Sequence, residues 1–550
     1  MTREKYPRFL AERLVTNEEA LKAVIKSGSS ICSGFATSEP YTFFTTIWDH
    51  IQREDLHDIT FRQGLFMAPH RVLVGDALSS KGMFSEMAGR PVNSVLGNLA
   101  RRANAATKKV EGLRKLVGHF RELQERRIKF VPAFIGAANN MTIPSNPITL
   151  VLYPDFVGRN PSRMGIVDMQ SVHFADAVDA MAYHEDGSAL VDVMAVIMTP
   201  PDENGEMSHG VANGATGDML EMALREDNVK IILYLNPNYP FTCGFEDAGN
   251  TVHVDVFKEK AAAGKLFVVE DNAKIPGLPG NAFDVISEAE DKIAEHLVNH
   301  MEANRDLTYG RAIQVGIGGT GVLAIRKLRE SSWTGRSYTE MLEPFTLDLF
   351  HAGKIAGTHF IRRDGTRTQL DGKLVCTFSL GTEDGAFYQA LDRNPELIVA
   401  SAARVVVSEA FYYGLGINNI LALDFQGHVN SGGRDKNHYS GIGGAATIVR
   451  GLARGGVAYL VLKSTHRTPE GKLRSSIFPF LPEGTPISMI GPDLMGTREG
   501  ARFYLVTEFG VVRINGMSQE RFIRNVISVA HPMFQDWLKK QAYEEFRIRV

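Results

Sequence analysis

At 550 residues the chain is too long for one ordinary core, and its 44% hydrophobic and 22% charged residues predict a soluble protein of two or three domains. A formal net charge of -3 excludes a bulk electrostatic partner, and three scattered cysteines (Cys32, Cys243, Cys376) exclude a disulfide framework or a cysteine metal site. The opening residues, Met1 to Pro7 and on through Glu12 and Arg13, lack the apolar core of a secretory signal, and no apolar run reaches the roughly 18 to 20 residues of a membrane span. The expectation is a cytoplasmic protein with no membrane partner.

In chain order, Thr16 to Ser27 predicts a helix closed by Gly28 and followed by a strand in Ser30 to Phe35. The basic stretch Arg101 to Lys129, with Arg101, Arg102, Lys108, Lys109, Arg114 and Lys115, reads as a helix with a solvated face; no nucleic-acid motif accompanies it. Strands are expected over Ile148 to Tyr153, Leu190 to Met198, Val229 to Leu235 and Leu266 to Val269, with a helix over Ala215 to Glu226. The Pro- and Gly-rich stretch Ala273 to Asn281 predicts a boundary between domains 1–275 and 276–550. Beyond it, a helix over Asp284 to Glu302 and a strand over Ala312 to Val315 echo the first unit. A helix over Pro395 to Ser408 and strands over Ile420 to Phe425 and Val457 to Leu462 complete the pattern. This alternation predicts the α/β class, as two open, mostly parallel α/β domains of related design with ligand loops at the carboxyl ends of the strands.

The loop Gly316-Ile317-Gly318-Gly319-Thr320-Gly321, with Glu340 about twenty positions on, fits a dinucleotide fingerprint, so an NAD-dependent oxidoreductase is one reading. Against it, the loop follows a long helix instead of opening the chain's first βα unit, and Arg326 to Tyr338 leaves little room for a second strand. In the other reading Glu340 is a covalent nucleophile beside a backbone-lined pocket.

Further segments carry a resemblance. Pro200-Pro201-Asp202-Glu203-Asn204-Gly205-Glu206-Met207-Ser208, Asn236 to Pro240, Ile313 to Gly319, Tyr338-Thr339-Glu340-Met341, Gly427 to Ser431, Tyr439 to Gly444, Val506 to Val511 and Ala530 to Phe534 follow one family's order. Over most of its length the chain resembles the acetyl-CoA hydrolase and family I CoA-transferase proteins, which include acetate, succinate, butyrate and 4-hydroxybutyrate CoA-transferases. It departs from them at Thr320-Gly321, where Ile-Pro is common, at Tyr338, where His is usual, and at Glu343-Pro344-Phe345, in place of Ser-Asp-Gly.

The resemblance implies an active site at the interface of the two domains. Glu340 would exchange CoA between an acyl-CoA and a small carboxylic acid through a glutamyl-CoA thioester, or pass the acyl group to water as a hydrolase. An ionised Glu340 in a polar, hydrogen-bonded setting is then expected. Gly316, Ile317, Gly318, Gly319 and Thr320 match the first CoA loop, and Ser440, Gly443 and Gly444 the second. Asn418 or Asn430 would supply an amide near the acyl group, although either also reads as a turn residue. Lys463 and Arg467 read either as CoA-phosphate contacts or as surface charge. CoA would be substrate and covalent intermediate with no tightly bound cofactor, no metal is expected, and a homo-oligomer is implied.

Overall fold

Two six-stranded sheets organise the molecule. The computed structural model describes residues 5–66, 70–79, 96–135, 147–156, 159–277, 287–316, 319–382, 385–434, 437–438, 441–468 and 471–550. The first sheet contains β1 (Ser30–Ser33), β2 (Thr60–Phe66), β3 (Lys129–Ile135), β4 (Val193–Met198), β5 (Lys230–Leu235) and β6 (Leu266–Glu270). All are parallel, in the order β3-β2-β1-β4-β5-β6. Every residue of β4 is buried, as its unbroken Val-Met-Ala-Val-Ile-Met run requires of a strand covered on both faces.

The second sheet contains β7 (Ala312–Val315), β8 (Arg336–Ser337), β9 (Leu415–Asn419), β10 (Val457–Val461), β11 (Arg502–Thr507) and β12 (Gly510–Arg513). Its order is β8-β7-β9-β10-β11-β12, parallel except for the terminal β11-β12 hairpin. Dropping β3 from the first sheet leaves the same order over five strands, so the two sheets share a design. The expected echo lies at its centre. Helix Asn17–Val24 leads into β1 and helix Glu288–Ala303 into β7, each opened by a capping box, Thr16 with Glu19 and Ser287 with Glu290. Both β1 and β7 flank the point where strand order reverses, which opens a crevice at the carboxyl edge.

The two sheets are packed together through shared apolar contacts. Phe378 of the second half meets Phe35 at 5.6 Å and Phe174 at 6.3 Å between ring centroids. Backbone bonds cross the same boundary, with Ser379 N donating to Val211 O at 2.7 Å and Asn213 N to Thr377 O at 3.0 Å.

Several expectations are corrected. Pro147–Leu152 is a helix, not a strand; its Leu and Val run is compatible with either, and Pro147 suits a first helical turn. Pro395 to Ser408 is not one helix but a strand, Leu397–Val399, followed by the short helix Ala402–Val405. The central strand near 420 is Leu415–Asn419, and only Ala422–Asp424 of the expected segment is extended. Leu96–Glu125 is helical, with the first part of the basic stretch outside the described side chains. A second strand does form between the glycine loop and Glu340, as the two-residue β8 paired with β7.

Candidate active site

Glu340 lies three residues beyond β8, on an extended segment held between two sets of backbone bonds. Tyr338 N donates to Ile313 O of β7 at 3.1 Å, and Thr339 N to Val375 O at 3.1 Å. Thr377 N donates to Glu340 O at 3.0 Å, and Met341–Leu342 pairs in parallel with Phe378–Ser379. The backbone at Glu340 is thus fixed from both sides, while Thr377 is itself bonded to Asn213 of the first half. The carboxylate therefore sits at the interface between the halves.

Its side chain is 7% exposed and turns toward the second glycine loop. Gly444 N donates to Glu340 Oε1 at 3.3 Å, at the N-cap of helix Ala445–Leu452. A Cβ on Gly444 would stand 3.0 Å from Glu340 Oε2 and 2.6 Å from Val406 Cγ1, so only glycine lets this backbone reach the carboxylate. Gly443 adopts φ +67°, and a Cβ there would lie 3.9 Å from Oε1. Gly441 is pressed against the end of β3, where a Cβ would meet Ala133 O at 2.0 Å. The loop is thereby lodged between the two sheets.

The expected polar setting for Glu340 is corrected here. Burial raises its carboxyl pKa to about 7, opposed by the single Gly444 N–H. Desolvation outweighs one hydrogen bond and the positive end of a short helix. Three residues on, Glu343 is also buried and also pushed up to about 7 by burial. Its side chain caps helix Pro344–His351, accepting from Phe345 N at 2.6 Å, Thr346 N at 3.1 Å and the Thr346 hydroxyl. That cap is what the departure at Glu343-Pro344-Phe345 provides.

The first glycine loop begins at the end of β7, where Gly316 N donates to Ile417 O at 2.7 Å. Ile317, Gly318 and Ser440 lie outside the described residues. Gly319 opens helix Gly319–Leu328, and Thr320 is buried in its first turn. A Cβ on Gly321 would meet Val315 Cγ1 at 2.7 Å, so the unexpected glycine lets the helix start directly over the strand end. Asn418, at the carboxyl end of β9, is buried, and a Cβ on Gly316 would be 3.3 Å from its Oδ1. Its Nδ2 finds no partner among the described residues; neither amide atom of Gln314, on the neighbouring strand, does either. Asn430 ends the two-residue strand Val429–Asn430, and its side chain is spent on the turn that follows, accepting from Gly432 N and Gly433 N and donating to Gly433 O.

Lys463 follows β10, half exposed, and its Nζ pairs with Glu290 Oε1 at 3.1 Å. Arg467 NH1 donates to Gly471 O at 2.9 Å. Neither meets Glu340. Residues that sequence reasoning passed over are Val406, which backs Gly444, and Thr377, which holds Glu340 from behind. Neither carries a chemical signature; their roles come from long-range backbone pairing.

The family model for the acetyl-CoA hydrolase/transferase C-terminal domain matches residues 383–542. The butyryl-CoA:acetate CoA-transferase of Anaerostipes caccae is 28% identical over 363 residues, 64% of this chain and 72% of the relative. The 4-hydroxybutyrate coenzyme A transferase of Clostridium kluyveri is 27% identical over 362 residues, 65% of this chain and 73% of the relative. Among solved structures, RipA from Yersinia pestis superposes with a TM-score of 0.69 at 21% identity, covering 100% of both chains; that likeness speaks to the fold. With the alternating sheets, the glycine loops and Glu340 in place, the chain is similar to the acetyl-CoA hydrolase and CoA-transferase proteins, through the family model over residues 383–542 and through relatives at 27–28% identity.

Proposed function

We propose that this protein is a CoA-transferase that moves CoA between an acyl-CoA and a free short-chain carboxylic acid, with Glu340 as covalent carrier. The observation that carries the reading is the Glu340 carboxylate, buried at the interface between the halves and bonded to a glycine backbone that only a residue without a side chain lets come this close. The transferase names of the relatives support it.

In this account the Glu340 carboxylate attacks the thioester carbonyl, the tetrahedral oxyanion collapses, and CoA thiolate leaves an acyl-glutamyl anhydride. The thiolate then attacks the γ-carbonyl of Glu340 and expels the first acid as its carboxylate, which leaves a glutamyl-CoA thioester. An incoming carboxylate attacks that thioester to give a new anhydride and free thiolate. Attack of the thiolate on the new acyl carbonyl releases acyl-CoA and regenerates Glu340. A carboxylate serves because it is nucleophile and leaving group in turn.

Each tetrahedral step needs an N–H aimed at the developing charge, and Gly444 N, within 3.3 Å of the reacting carboxyl, is the donor for the intermediate centred on Glu340. Asn418 Nδ2, beside Gly316 and without a partner among the described residues, is the candidate polar contact for the ligand. Remote binding of CoA would offset the desolvation of Glu340 and press the thioester onto it. Hydrolysis would run through the same anhydride with water as acceptor. Turnover of acetyl-, propionyl-, butyryl- and succinyl-CoA with and without added short carboxylates separates the two. The transferase reading requires that an added acid accelerate loss of the starting acyl-CoA and appear as a new thioester; release of free CoA at a rate indifferent to added acid contradicts it.

A further inference from the structure

A small polar cavity lies on the boundary between the halves, and Glu340 does not line it. It measures about 120 Å³ and is lined from the first half by His209, Asn213 and Asp218, and from the second by Arg363, Ser401 and Arg404. The volume is several times the roughly 10–15 Å³ that one water occupies, and far below what CoA would need. Two lining atoms that are fully buried lack any hydrogen-bond partner among the described residues, His209 Nδ1 and Arg404 Nε, while the buried Ser401 hydroxyl has only Asp218 near it. His209 is 2% and Ser401 5% exposed, so bulk water does not satisfy them. A buried polar group left without a partner costs roughly 1–3 kcal/mol, and two on the walls of one cavity mark a place built to hold something polar.

We propose that this cavity is a binding site for a small monocarboxylate of two or three carbons. Arg404 is already fixed by its bond to Asp247 at 3.3 Å and to Ile361 O at 3.1 Å, which leaves Nε as a preset donor. Arg363 contributes a second guanidinium from the rim, and Ser401 a hydroxyl. A planar two-oxygen anion matches such donors. Asp218 faces the same space and burial lifts its carboxyl to about 6, opposed by the nearby Ser401 hydroxyl and Arg363. A protonated Asp218 donates to a bound carboxylate, and Glu221 on the rim disfavours a dianion such as phosphate. The site stands independently of the chemistry proposed for Glu340, and none of its lining residues is Glu340, Gly444 or Val406.

The test is equilibrium dialysis of radiolabelled acetate against the full-length protein without CoA. The expected result is saturable binding of one acetate at this cavity, weakened at least tenfold by Arg363→Ala and by Ser401→Ala, unchanged by Glu340→Gln, displaced by propionate and not by equimolar chloride or phosphate. Arg363 is exposed, so its substitution leaves a folded protein even if Ser401→Ala does not. Absence of saturable binding, equal affinity in the Arg363→Ala protein, loss of binding in Glu340→Gln, or displacement by chloride or phosphate overturns the proposal.

Discussion

Gly444 N meets Glu340 Oε1 at 3.3 Å, and a methyl group placed on Gly444 would stand 3.0 Å from Oε2 of the same carboxylate. One glycine thus supplies both the hydrogen bond to this carboxylate and the clearance beside it. Its φ of -84° is ordinary, so an alanine there would keep the backbone and lose only the space. Gly444→Ala is expected to lower kcat at least a hundredfold with CoA affinity changed far less, read by steady-state kinetics and by CoA titration. Val406→Ala in the same chain should restore part of the loss, because Val406 Cγ1 is the nearer obstacle at 2.6 Å.

Burial raises the Glu340 carboxyl to about 7, and the proposed mechanism needs its ionised form, so kcat/KM should rise with pH through about 7. A pH profile flat from 5 to 8 would contradict this.

The same shift has a stability consequence of defined sign. The folded protein binds the Glu340 proton more tightly than the unfolded chain does, near 7 against the usual 4.5. The resulting stability is fully present below about 4.5 and is lost as pH rises through about 7, by on the order of 3 kcal/mol. Glu340→Gln should therefore be the more stable protein at pH 8 and equal to the parent near pH 4, as measured by denaturant unfolding at the two pH values.

Tyr338 stacks on His359 at 5.0 Å, and its hydroxyl donates to Val405 O at 3.0 Å, next to the valine that backs Gly444. Tyr338→Phe leaves that buried carbonyl without its donor, at a cost of about 1–3 kcal/mol. The expected result is a modest loss of stability and a kcat reduced several-fold with little change in KM.

Lys463 forms a half-exposed pair with Glu290, worth roughly 0–1 kcal/mol. If it serves CoA phosphate, Lys463→Ala should raise KM for acyl-CoA about tenfold, leave kcat near the parent value, and matter less for a truncated pantetheine thioester. An equal effect on both substrates would return Lys463 to the role of surface charge.

Much of the scaffold was legible in the sequence because its signals are local. Thr16 and Ser287 announce helix starts, the apolar runs of β4, β5 and β10 announce buried strands, and Gly316 marks the end of β7. What was hidden depends on distant pairing. β2 and β3 carry polar residues such as Arg62, Gln63 and Lys129 within their runs and were passed over. Leu415–Asn419 contains Gly416 and two asparagines, poor strand formers accepted because β7 and β10 enclose them. The same holds at the site. Glu340 stood out by its neighbours in sequence, but its raised pKa follows from burial at a place set by distant segments, among them Thr377 and Gly444, 37 and 104 positions away, which carry no chemical signature.

The most direct test of the central claim is mass spectrometry of the Glu340 peptide after brief incubation with an acyl-CoA and removal of free nucleotide. Covalent attachment predicts a peptide carrying the mass of CoA less water, lost after borohydride treatment with conversion of Glu340 to the corresponding alcohol, and absent from Glu340→Gln. An unmodified Glu340 peptide in protein that is turning over acyl-CoA would contradict the account.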